Sequence, residues 1–241
     1  DQVEVVIDTS GVDVVSASFV RGNPPDVMLA NYNFEIARFI ERCAVSDLSD
    51  LPEADRIKEE LWPLIDQYGV CPGQISALPY SVMSASVIYN KEIFEEYGLE
   101  VPQTWDELIA LSDKILADHG AEGAKPWCAG IGSGEATGWP ATDWLEDMLL
   151  RTSGGDVYDK WLTNEVKFDS PEVAEALAKV GEILKNPDYV NGGYGDVASI
   201  ATTTFQDGGL PLVEEEPLCY MHRQASFYAA NWPEGTEVGP E

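Results

Sequence analysis

Two periods alternate along the chain. From residue 93 to residue 116 the apolar positions recur at helical spacing: Ile93, Phe94 and Tyr97 first, then Leu108, Leu111 and Ile115 with Ile109 and Leu116 beside them. Gly98 supplies the left-handed residue that closes the first of these helices. Thr104 and Glu107 form a capping box that opens the second, each side chain satisfying a free amide. A third helix is predicted where Val173, Ala176, Leu177, Val180 and Leu184 share a face. Ser170 caps it, Pro171 takes its first position, and Asn186-Pro187 stops it. A glycine-rich turn after Gly130 leads into a helix carrying Trp144, Leu145, Met148 and Leu149, and Phe34 to Arg42 reads as another.

Between the helices lie short runs without that period. Val3 to Ile7 is a strand by its β-branched content, and Asp26 to Ala30, after the Arg21–Pro25 turn, reads as a short buried one. Small residues lead to a strand ending at Tyr89, and Leu218 to Ala230 is a last strand-like run. Alternating strands and helices predict an α/β class, its sheets covered on both faces. No apolar run approaches the ~18 residues of a membrane-spanning helix. At 241 residues the chain suits one large domain or two modest ones.

Composition narrows the function more than the fold. Lys and Arg number 14 against 43 Asp and Glu, a net charge of −29. Such a surface repels phosphate backbones and anionic lipid, which excludes nucleic acid as a partner. It reads as a heavily solvated acidic coat of the kind found in saline habitats. The acidic run Glu214-Glu215-Glu216 abuts Pro217 and looks like a loop. Cys43, Cys71, Cys128 and Cys219 form no C-x-x-C pair and only two His are present, so no zinc site is expected. Three disulfide pairings are open to four cysteines, as is the alternative of four buried thiols. Gly132-x-Gly134-x-x-x-Gly138 has the wrong spacing for a dinucleotide site and no Walker lysine follows it. No metal or cofactor is expected.

One stretch carries more than its periodicity. Ala77 to Ile115 strings together Pro79-Tyr80, a strand ending in Tyr89-Asn90-Lys91, a helix closed by Gly98, and Val101-Pro102-Gln103-Thr104-Trp105-Asp106-Glu107-Leu108. In this order the parts resemble the sugar-binding receptors of ABC importers, the extracellular solute-binding proteins related to maltose-binding protein. Gly22-Asn23-Pro24-Pro25-Asp26-Val27 is similar to another element of that family, as is Val45 to Leu51, with Ala44-Val45 where a glycine is usual. Tyr220 to Phe227 resembles its closing second-lobe strand, most closely among receptors for α-glucosides and related oligosaccharides.

The resemblance implies a two-lobed α/β fold, the type II periplasmic-binding-protein fold, with residues 1–82 in the first lobe, 83–241 in the second and a crossing strand at about 78–86. It implies an internal fragment lacking the first strand and helix and the C-terminal return segments. It also implies an exported protein, periplasmic or on the cell surface, free or lipid-anchored. Disulfides within each lobe would then pair Cys43 with Cys71 and Cys128 with Cys219, each adding ~3–4 kcal/mol. The function implied is capture of a carbohydrate, by a monomer with no catalytic role, for delivery to ABC permease subunits.

Sugar recognition needs flat aromatic faces and planar polar groups. Asn31 and Tyr32 follow the Asp26–Ala30 strand, where open α/β sheets place ligands, though an ordinary polar turn reads the same way. Ser81 and Met83 lie at the implied crossing. There the family's maltose receptor presents a carboxylate, so Met83 is a contact or a packing residue. Trp139 at the end of the glycine-rich turn is the candidate for stacking on a sugar ring, against a place in the core. Asp143 and Trp144 follow it, and Asp143 equally complements the helix dipole. Arg223, beside Gln224 in an aromatic run, is a fork for vicinal hydroxyls or a carboxylate, or else half of a buried ion pair. Two rivals remain: a glycoside hydrolase pairing Glu135 with Asp143, and a sugar-sensing module for a signalling partner.

Overall fold

The computed structural model describes residues 12–29, 34–67, 71, 74–78, 83–191 and 195–239. The chain divides into two compact units, Asp1–Val82 and Met83–Glu241. The strand expected over Val3–Ile7 lies outside the described residues, and so do residues 79–82 of the crossing expected near 78–86.

In the first unit the described elements are helices: α1 (Val12–Val20), α2 (Phe34–Glu41) and α3 (Ala54–Gln67). The rings of Phe19 and Phe39 stack with centroids 4.3 Å apart. Cys43 and Cys71 are joined by a disulfide. The Val45–Leu51 element is a local device. The Asp47 carboxylate accepts from the amides of Ser49 (2.9 Å) and Ile75 (3.3 Å). The Ser49 side-chain hydrogen bond, above all, holds its pKa below the ordinary value. Ile75 sits fully buried beside it. The expected strand at Asp26 is absent over 26–29: Val27 is 87% and Leu29 75% exposed. A strand needs a neighbour to take its hydrogen bonds, and among the described residues this unit holds none.

The second unit follows the helical grammar closely. After β1 (Ala85–Tyr89), helix α4 (Lys91–Tyr97) starts at Asn90, whose side chain accepts from the Ile93 amide, and ends at Gly98 with φ 59°. Helix α5 (Trp105–His119) opens on the complete Thr104–Glu107 capping box. Then come β2 (Lys125–Cys128), α6 (Trp139–Ser153), α7 (Gly155–Leu162), α8 (Pro171–Leu184), the single turn α9 (Ser199–Thr202) and β3 (Cys219–Ala225). Ser170 caps α8 as expected. The strand-like run at Leu218 to Ala230 is a strand only to Ala225. Residues Ser226–Asn231 coil into 3₁₀ turns, which brings Phe227 and Tyr228 round under separate constraints.

The sheet has the order β1-β3-β2. β1 runs antiparallel to β3, with Ala85 opposite Ala225, Val87 opposite Arg223 and Tyr89 opposite Met221. β2 runs parallel to β3. β3 is buried along its whole length, as a central strand covered on both faces must be. The main core gathers Ile115, Trp127, Leu149, Val173, Ile183 and Met221, and within it α6 packs on α8 and α5 on β2. Trp127 pays for its buried indole N–H with a 3.0 Å bond to Ser112 Oγ. A second disulfide joins Cys128 of β2 to Cys219 of β3.

Candidate functional site

The parallel pair decides where loops collect. β2 and β3 point the same way, so the segments that leave them, 129–138 and 226–231, emerge at one end of the sheet. β1 is antiparallel, so its start lies there too, and the Ser226 amide donates to the Ser84 carbonyl at 3.1 Å. Ligands of open α/β sheets bind beyond such ends.

Three aromatic side chains meet there. Trp139, at the first position of α6, stands 5.0 Å from the ring of Phe205 at 69° and 5.9 Å from Phe227 at 50°. Phe205 and Phe227 are 6.1 Å apart and nearly perpendicular. All three are half-buried, so each is held by the others while part of its surface stays open. Their segments are laced together by main chain. The Gly132 amide donates to Thr203 O, the Phe205 amide to Gly132 O, and the Gly138 amide to Ile131 O, each at 2.9 Å. This lacing needs glycine: a Cβ on Gly130 would stand 2.4 Å from Thr204 O. Gly138 turns the chain into α6 with φ 107°. Asn191, fully buried, anchors the same loops by accepting from the Ala129 amide (2.8 Å) and donating to Ser199 Oγ (3.0 Å).

Asp143 lies four residues into α6 from Trp139, on the same helix face. It is half-buried, and desolvation raises its pKa above the ordinary value; Glu146 adds to this and Arg223 opposes it. Met83, at the same sheet end, is 51% exposed. Glu135 is exposed on a 3₁₀ turn. Asn31, Tyr32 and Ser81 lie outside the described residues.

Arg223, Gln224 and Trp144 face inward. Arg223 donates to the main-chain oxygen of Asp143 (3.1 Å), pairs with Asp147 (3.2 Å) and lies 5.0 Å over the Trp144 ring. One nitrogen of its guanidinium fork, Nη2, is therefore held by α6. Gln224 is buried, and its Oε1 accepts from the Ala225 amide at 2.9 Å. Trp144 is a core residue, edge-on to Trp127 at 5.5 Å. Arg223 and Trp144 line a groove of about 570 Å³ along β1, whose wall also includes Val87, Phe94 and Trp105. The cations in that wall are engaged within the protein: Arg151 with Asp147, and Lys179 over the Trp105 ring.

Phe205 was not a candidate from sequence. It follows three threonines in a run with no period, and only the fold brings it to Trp139. Among the described residues no group of His, Cys, Asp and Glu is placed to hold a metal, and no helix is long and apolar enough to cross a membrane.

A family model, the bacterial extracellular solute-binding protein, matches residues 2–205. The chain belongs to that family. Its members are extracellular, and the chain is accordingly an exported protein. It is 38% identical over 245 residues to the alpha-glucosides-binding periplasmic protein AglE of Rhizobium meliloti, covering 99% of this chain and 50% of that one. It is 33% identical to the osmoprotective compounds-binding protein GgtB of Synechocystis, covering 96% and 54%. RafE from Streptococcus pneumoniae has the same fold, with a TM-score of 0.67 at 20% identity over 95% of this chain and 55% of its own. The fold is thus the α/β type II solute-binding fold. The chain spans about half the length of the curated relatives it matches.

Proposed function

We propose that the protein is the substrate-binding receptor of an ABC importer, capturing an α-glucoside or a related oligosaccharide and handing it to permease subunits. The observation that carries this reading is the platform of Trp139, Phe205 and Phe227: three rings fixed by one another, half open, at the ligand-binding end of the sheet. Aromatic faces of this kind suit the C–H patches of a pyranose and cost little entropy to hold. Asp143, on the same face of α6 as Trp139, is the acceptor for a sugar hydroxyl, and Met83, exposed at the same end of the sheet, is a further candidate contact. Asn31, Tyr32 and Ser81 remain candidates for further contacts. The name of the Rhizobium meliloti relative supports the α-glucoside class.

The receptor performs no chemistry in this reading; a half-open stacking surface binds a ring without acting on it. Titrating the whole protein with maltose, trehalose, sucrose and raffinose, while following tryptophan fluorescence, tests the proposal. Saturable binding to at least one, weakened about 50-fold in Trp139→Ala, is expected. Silence across all four, with binding of an amino acid instead, would overturn the substrate class. Turnover of a chromogenic glycoside that disappears in Glu135→Gln would replace the receptor with a hydrolase.

A further inference from the structure

Phe205 reaches the platform on a loop, 203–209, that lies outside any helix or longer strand. Main-chain bonds to Gly132 tie the loop at Thr203 and Phe205. Beyond Phe205 the loop is braced locally by Thr204, whose Oγ1 donates to Asp207 (2.7 Å) and whose main-chain oxygen accepts from the Gly208 amide (2.9 Å), and a buried hydroxyl ties it to the 3₁₀ segment Ser226–Asn231. Tyr228 is fully buried. Its hydroxyl donates to Gln206 O at 2.6 Å and accepts from the Gly209 amide at 2.9 Å, bridging the loop just after Phe205. The ring itself is wedged between His222 and Trp232, each with its centroid 4.7 Å away.

Two details make the bridge specific. A Cβ at Gly209 would stand 2.8 Å from the Tyr228 hydroxyl and 2.7 Å from His222 Cδ2, so only glycine lets the amide come this close. Tyr228 also follows Phe227 directly within the 3₁₀ segment Ser226–Asn231. Neighbouring residues of that segment thus present one ring to the platform and the hydroxyl that braces the loop bearing the second ring.

We infer that Tyr228 is a positioning residue for ligand binding: its hydroxyl holds Phe205 in place against Trp139 and Phe227, and it touches no ligand itself. This rests on the carbohydrate-platform reading above. Tyr228→Phe removes the hydroxyl and keeps the packing ring. In the whole protein, with maltose as probe, it raises Kd about tenfold, the effect of one lost buried hydrogen-bond bridge. Amide exchange at Gly209 accelerates at least ~10-fold with or without sugar.

A double-mutant cycle separates positioning from general damage. Phe205→Ala weakens maltose binding on its own, and adding Tyr228→Phe to it costs less than about twofold more, because the hydroxyl acts through that ring. A full further loss in the Phe205→Ala background would reduce Tyr228 to a structural residue. Unchanged maltose affinity in Tyr228→Phe, beside a normal wild-type titration, overturns this inference alone; so does unchanged Gly209 exchange. A wild-type protein that binds none of the four sugars overturns the platform reading itself, and the positioning role with it.

Discussion

At the head of α6 three aromatic rings stand half open, whereas one turn further along the same helix Arg223 lies buried over Trp144 and paired with Asp147. Both clusters combine aromatic and polar groups, and both sit where a ligand contact was expected. They differ in what is left to offer. One nitrogen of the Arg223 fork, Nη2, has two oxygen partners on α6, and the guanidinium has an aromatic face for its charge. The rings of Trp139, Phe205 and Phe227 satisfy one another only at their edges. A buried charge with its partners in place fastens elements together, and a partly covered aromatic surface is what a ring-shaped ligand completes.

The contrast breaks most directly at Arg223. Arg223→Met removes the donor to the Asp143 carbonyl, leaves Asp147 with only the exposed Arg151, and lowers stability by ~2 kcal/mol, read by urea denaturation. Sugar affinity in the folded fraction changes by less than about threefold; a large affinity loss without destabilisation would make Arg223 a ligand contact after all. Trp139→Ala reverses the pattern. Kd rises ~50-fold, about 2 kcal/mol, by isothermal titration, while stability falls by less than ~1.5 kcal/mol.

His222, packed against Tyr228, gives a pH-dependent test. It is buried, its Nδ1 lies 2.9 Å from Cys128 O, and burial lowers its pKa to about 4. The unfolded chain therefore binds its proton near pH 6.5 and the folded protein does not until about pH 4. Stability from this group is intact above pH 6.5 and is lost as pH falls through that window. His222→Gln should remove ~2 kcal/mol of the stability difference between pH 7 and pH 4.5, measured by thermal melts. An identical pH dependence in both proteins would sink the assignment. The smallest effect is expected for Phe227→Leu, which keeps apolar volume and loses the flat face: affinity drops ~5-fold with stability nearly unchanged.

Local chemistry was legible and tertiary chemistry was not. Gly98, Thr104, Glu107 and Ser170 act within a few residues of themselves, so their roles could be read directly and the helices they bound were found. Trp139 stood out for the same reason, at the join of a glycine-rich turn and a helix. Arg223 stood out by its scarcity in an acidic chain, but whether its fork faces a ligand or α6 depends on a helix some 80 residues away. Phe205 has no local signal; its place follows from the bond between its amide and Gly132. The Asp26 strand failed by the same logic, since composition proposes a strand and only a neighbour makes one. The family resemblance reached further than any of these readings because it carries tertiary information that single residues lack.

The strand order has a consequence in time as well as in space. Among the described residues β3 is the centre of its sheet, pairing with β1 more than a hundred residues before it and with β2 about ninety residues before it. These three strands cannot pair until Cys219–Ala225 has been made, while the capped helices α4, α5 and α8 can form early on their own signals. Contacts so distant in sequence make for slow folding. The Cys128–Cys219 disulfide spans the β2–β3 pair, so it too joins residues far apart in sequence and locks strands that meet late.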